Sequence, residues 1–235
     1  LVVIALISVL VAILLPALGL ARVWCKRVKC QANLRQIAQA WHMYLNDNDG
    51  RFYQGRNADV TFVGWRGLRD PDSLRPLNRY LSLSERPESE GQAMIAKCPA
   101  DTGKDSTAGL SVYTMHGTSY RTNHLMIGPD RIPSLPDPNL TEEIDRRLPN
   151  LRVQEITDHS RLLLVGDNGW VSQWWPTSSK KVEGWHNRPQ CFSLAFMDGH
   201  VDFLLIRKGI YVADEYTVIP FGDLYGLAQY AQKKN

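Results

Sequence analysis

Charge is missing from the first 21 positions of this 235-residue chain, where Ser8 is the one polar side chain. An ordinary surface helix keeps a polar stripe, so this run is something else. Cysteine is scarce: four residues, with no C-x-x-C among them. The spacing of Cys25 and Cys30 is therefore not that of a local zinc or redox pair, and the lack of C-x-x-C-H excludes covalent haem and with it a cytochrome nanowire. There is no H-E-x-x-H, phosphate loop or Ser-His-Asp nucleophile motif, and no internal repeat or low-complexity tract. No enzymatic activity is expected. Net charge is also small, with 27 Lys+Arg against 24 Asp+Glu. It is unevenly placed, because Arg22, Lys26, Arg27, Lys29 and Arg35 follow the apolar run with no acid among them. The rest of the chain holds 22 basic against 24 acidic residues. A nucleic-acid binder spreads a basic face over its fold, so no such partner is expected.

What is present begins with length. Twenty-one uncharged residues in a helix span about 31 Å, the thickness of a bilayer's hydrocarbon core. A signal peptide would carry a basic region first and a shorter apolar run. A core helix of a soluble domain would be shorter and striped. A membrane segment fits best. Pro16 removes one backbone donor, so a kink or loosening is expected there, tolerable when other helices pack around it. Beyond the basic collar, Leu34, Ile37, Ala38, Trp41, Tyr44 and Leu45 recur at spacings of three and four, the pattern of an amphipathic helix. Asn46-Asp47-Asn48-Asp49-Gly50 supplies the stop. We read one helix of about 45 residues, roughly 68 Å long. Residues 1–25 form an apolar stalk, 26–50 the half that lies across a head, and 51–235 the head itself.

The head reads as α+β. Residues 191–197 and 200–206 are β-rich runs around Asp198-Gly199, which suits a type I′ hairpin turn, giving a hairpin over 191–206. Phe192, Leu194 and Phe196 alternate on one face, as do Val201, Phe203 and Leu205, so one sheet face is expected to pack on the long helix. Residues 161–167 read as a third strand and 222–234 as a short terminal helix. Segments 84–91, 99–109 and 128–140 read as surface loops.

The stretch LVVIALISVLVAILLPAL followed by CQANLRQIAQAWHMYLNDNDGRF resembles the N-terminal part of type IV pilin-like proteins with a prepilin-type cleavage/methylation signal. In that family a Phe and a nearby Glu stand ahead of the Leu-Val-Val-Ile stretch; the present sequence begins at Leu1. FMDGHVDFL, KCPAD at 97–101 and SYRTN at 119–123 are similar to landmarks of the subgroup with a C-terminal His–nine residues–Asp-Gly motif. His186, Asp198 and Gly199 fill that motif here, with eleven residues between the His and the Asp. The resemblance implies a long helix packed on an antiparallel sheet, and a structural subunit of an extracellular pilus-like filament built from identical copies. Leu1, Ile4, Ile7, Val11, Leu14, Leu15, Pro16 and Leu18 would form its core. The chain would sit in the inner membrane before assembly, meeting a prepilin peptidase and the pilus assembly machinery. By the positive-inside rule the collar alone would hold the head in the cytoplasm. The family landmarks also imply a disulfide between Cys30 and Cys98, worth on the order of 4 kcal/mol in the chain-entropy model; two free buried thiols are the other reading.

Other classes remain. A pseudopilin-like component of a secretion system would share the stalk. A membrane-anchored glycan-binding module would use Trp170, Trp174, Trp175 and Trp185, which sit in a polar loop and could equally pack over the sheet. Asn46 to Gly50 resemble half of a calcium loop, but helix termination explains them too, and the bidentate Glu of a full site is missing. A second candidate metal set is Asp167, Asp198, His200 and Asp202, near the sheet's ends, a pattern that a solvated face also produces.

Overall fold

A computed structural model describes residues 2–103, 109–127, 135, 137–174 and 184–233, with the side chains at 5 and 9 outside the description. The chain is α+β. Helix α1, Val2–Asp47, is continuous over 46 residues and passes through Pro16 unbroken. Proline cannot donate to the carbonyl of Ala12, yet one lost bond in so long a helix leaves the ladder on either side intact. Ser8 avoids an orphaned hydroxyl by bonding back to the Ile4 carbonyl at 2.8 Å. Past the C-terminus, Asp49 and Gly50 both take positive φ, and the Gly50 N–H donates to the Leu45 carbonyl. The Asn48 side chain donates to the Tyr44 carbonyl.

From Cys30 onward α1 buries a stripe comprising Cys30, Leu34, Ile37, Ala38, Trp41 and Leu45. Each large apolar side chain there contributes about 1.5–3 kcal/mol on burial. The surface it meets is a four-stranded antiparallel sheet in the order β1 (Tyr120–Thr122), β2 (Leu163–Asp167), β3 (Cys191–Phe196), β4 (Val201–Leu205). Register places Tyr120 and Asp167 together, then Thr122, Val165, Ala195 and Val201, then Ser193 with Phe203. These residues form the face on which α1 lies. Asn33 Nδ2 donates to the Tyr120 hydroxyl at 3.2 Å, and Trp41 Nε1 to Thr122 Oγ1 at 3.2 Å.

Two expectations are corrected here. Phe192 and Leu194 do not share the face of Phe203: Ser193 is the residue opposite Phe203, so its neighbours point the other way. Small Ser193 and Ala195 face the helix, and bulky Phe192 and Leu194 are buried on the other side of the sheet. The hairpin turn is not type I′. Gly199 takes φ 90° while Asp198 stays out of the left-handed region. Phe196 and His200 close a three-residue loop, with the Phe196 N–H donating to the His200 carbonyl and the Gly199 N–H to the Phe196 carbonyl. This is the turn-plus-bulge alternative. The Asp198 carboxylate accepts the His200 N–H at 3.0 Å, which spares Asp198 a strained conformation.

The 128–140 reading is also corrected at its end. Helix α2 runs Pro138–Arg147, with Asp137 accepting the N–H groups of Asn139 and Leu140. A terminal helical segment is present as Gly222–Leu224 followed by the helix Tyr225–Gln232.

Candidate functional site

Two features of the fold stand out: an apolar surface left uncovered among the described residues, and a buried cluster of ligand-type side chains. The first is the stalk. Its most apolar stretch is entirely unburied, and α1 is the one helix among the described residues long and apolar enough to cross a membrane. Ile4, Ile7, Val11, Leu14, Leu15, Pro16 and Leu18 are all exposed; Leu1 lies outside the described residues. In the collar, Arg22, Lys26 and Lys29 are exposed, while Arg27 turns back to the head. Its guanidinium stacks 3.8 Å from the Trp24 ring and 4.6 Å from Phe203, linking the stalk's end to β4.

The second feature lies directly below that joint. Cys30, Cys98, Asp167 and His186 are all buried, and their ligand atoms lie within 4.8 Å of one another. Each comes from a different element. Cys30 is the first fully buried residue of α1. Cys98 sits in the loop after a short helical segment, Glu90–Ala96; Asn33 of α1 donates to the Lys97 carbonyl and holds that loop against the helix. Asp101 steadies the same loop by accepting the N–H groups of Val112 and Tyr113 and the Ser119 hydroxyl. Asp167 ends β2. His186 leads into β3 through a tight loop in which Asn187 and Gln190 have positive φ. Gly184 is needed in that loop, since a Cβ there would fall 2.4 Å from the Cys191 carbonyl oxygen and 2.5 Å from that of Arg188.

Within the cluster, Cys30 Sγ donates to Asp167 Oδ1 at 3.0 Å, His186 Nε2 lies 3.4 Å from Asp167 Oδ2, and Cys98 Sγ is 3.7 Å from His186 Nε2. The Ser193 backbone N–H donates to Asp167 Oδ2 at 2.8 Å. Burial, reinforced by Cys98 and Asp167, pushes the Cys30 thiol well up. Cys98 is also raised, chiefly by burial. For His186 burial works against the cation, but hydrogen bonding to Asp167 and Cys30 outweighs it and carries the imidazole up to about 9. In the metal-free cluster burial thus favours the neutral thiols, while the partners of His186 favour its cation.

This is not a thiol-nucleophile triad. There, one imidazole nitrogen faces the thiol and the other the carboxylate. Here Nε2 faces both, and Nδ1 is buried without a hydrogen-bond partner. The closed surroundings also deny a substrate access to either sulfur.

Cys30 and Cys98 do come together, but as free thiols and not as the disulfide that the resemblance implies. The candidate set Asp167, Asp198, His200 and Asp202 is divided. Asp167 joins the buried cluster, whereas Asp198 and His200 pair with each other at the exposed hairpin tip, 2.6 Å apart. Asp202 is opposite Leu194, on the face away from α1, and its carboxylate accepts the Phe203 N–H. Of the motif His186, Asp198 and Gly199, only His186 enters the cluster; the other two make the turn. The half calcium loop disperses as well, with Asp47 accepting the Tyr80 hydroxyl and Asn48 capping α1. Trp170 and Trp174 are buried, donating to the Arg121 and Ile210 carbonyls, and Trp185 is half-buried against the core. Trp175 lies outside the described residues.

No family model, no curated protein and no solved structure matches the chain.

Proposed function

We propose that the chain is a pilin-like structural subunit whose stalks leave a membrane and bundle into the core of a filament, with the heads coating its outside. The observation that carries this reading is the division of α1: one continuous helix is solvent-exposed and apolar in its first half and locked into the head in its second. An apolar rod on a rigid head satisfies two solvents in turn. In lipid, acyl chains cover it. In a filament, neighbouring stalks do, and the open head-to-tail repeat of one interface builds a fibre and not a closed ring. Pro16 then sits among other helices, and exposed Arg22, Lys26 and Lys29 reach for acids or carbonyls of adjacent subunits at the boundary between core and coat. A glycan platform is less well supported, because Trp170 and Trp174 are used up in the interior.

Cys25, an exposed thiol at the end of the stalk, offers the test. Bis-maleimide treatment of material sheared from cells should yield a covalent dimer, lost in Cys25→Ser. A monomer alone from intact membranes, with nothing in the sheared fraction, would favour a single-copy anchored module. A dimer confined to the membrane fraction would favour the short assemblies of a pseudopilin.

A further inference from the structure

We propose that Cys30, Cys98, Asp167 and His186 bind one zinc ion, which staples the stalk helix to the head. The donor set is two sulfurs, one imidazole nitrogen and one carboxylate oxygen. That combination selects a borderline-soft ion and excludes calcium, whose ligands are oxygens. The spacing also fits. Tetrahedral zinc with bonds of about 2.0–2.3 Å places its ligand atoms roughly 3.3–3.8 Å apart. The nitrogen-to-oxygen and sulfur-to-nitrogen separations are 3.4 and 3.7 Å. The Cys30–Asp167 separation of 3.0 Å is a thiol hydrogen bond, and it opens slightly when the proton leaves and the metal enters. Every member is buried, and the four ligand atoms converge to within 4.8 Å of one another.

Binding replaces protons by metal. Each thiol releases its proton to solvent as its sulfur takes zinc, Nε2 of His186 gives up any proton it holds, and Asp167 ligates through a carboxylate oxygen. The loaded site carries one net negative charge, and the Ser193 N–H already points at Asp167 Oδ2 to hold that carboxylate in place. No redox step is involved.

The position gives the ion a role. Cys30 is where α1 passes from exposed to buried, and the other ligands come from the loop after residue 96, the end of β2 and the entry to β3. One ion therefore ties the helix to three parts of the head at the point where pull on the stalk enters it. The proposal stands apart from the filament reading, since metal content is measured on the isolated chain whatever it assembles into.

The full chain, purified in detergent micelles without added reductant or chelator, should contain one zinc per chain by elemental analysis. After zinc is removed by chelation under reductant, Co2+ should bind at one equivalent and give the sulfur-to-cobalt charge-transfer and visible bands of a tetrahedral thiolate site. Zn2+ should then displace it. Asp167→Asn, close to isosteric, should weaken cobalt binding at least tenfold, and His186→Ala and Cys98→Ser should do the same. If a cysteine variant fails to fold, the wild-type cobalt titration alone decides. The proposal is overturned if peptide mapping of the purified chain finds Cys30 joined to Cys98. It is also overturned if the reduced chain gives no thiolate–cobalt band, or if that band survives in Cys98→Ser.

Discussion

The two halves of α1 share a backbone and differ in everything that surrounds it. Residues 2–29 project without a fully buried side chain among those described, while residues 30–47 supply some of the most deeply buried groups of the core, Trp41 among them. Composition tracks this. Up to the basic collar, residues 2–21 are apolar on all sides and suit surroundings that are the same in every direction, as lipid or a bundle of like helices is. The second half is apolar on one stripe and suits a single neighbour. A helix long enough for both can therefore belong to the head and to something outside it at once.

Substitutions along the helix should break that symmetry of backbone. The largest effect on the head belongs to Trp41→Ala, which removes a ring stacked on Phe62 at 5.8 Å and the bond to Thr122. We expect a loss of about 3–5 kcal/mol in denaturant unfolding of the detergent-solubilised chain. Leu14→Ala in the stalk should leave the same midpoint within about 0.5 kcal/mol. If Leu14→Ala destabilises the head as much as Trp41→Ala, the halves are not independent.

Next comes charge. Leu14→Asp should cost about 2.5–3.5 kcal/mol of membrane insertion, read as protein lost from the membrane fraction, with head stability unchanged.

Acid should act on the head alone. Nδ1 of His116 and of His124 is buried without a hydrogen-bond partner. Burial, with Arg121 beside both, lowers their pKa values to about 4 and about 3 from 6.5. Between those values the unfolded chain takes up protons that the folded one refuses. Their contribution is therefore complete above about pH 6.5 and is lost as pH falls towards 3. Thermal midpoints should drop over that range, and the double variant His116→Gln, His124→Gln should flatten the slope.

The smallest effect sharpens the joint between the halves. Arg27→Ala removes stacking on Trp24 and Phe203 and should cost about 0.5–1 kcal/mol. Arg27→Lys should recover part of it in the same unfolding assay.

What could be read from the residues follows the range of the forces involved. The long helix, its stop after Asp47 and the strands on either side of Asp198-Gly199 are written in patterns of a few residues. Strand β1 is three residues long, too short for any period to show. Helix α2 was hidden by its own start: Asp137 and Pro138 mark a turn and a helix N-terminus equally well, and only Leu140 and Ile144, buried four apart, separate the two. The cluster was out of reach for another reason. Cys30 meets Asp167 across 137 positions and Cys98 meets His186 across 88. A search for ligands close in sequence rejects such a set, because the sheet and α1 bring it together. One hint lay in the chain. Cys98 and His186 each fall in a stretch carrying the family resemblance, although that resemblance points to a disulfide.

In the proposed filament the first half of α1 is the assembly surface. Electron cryo-microscopy of material sheared from the source cells tests it most directly. The expected density is a helical filament with residues 2–24 packed around its axis, heads outside and α1 continuous across Pro16. Sheared material free of this chain, with the protein present as single copies in the membrane, would contradict it.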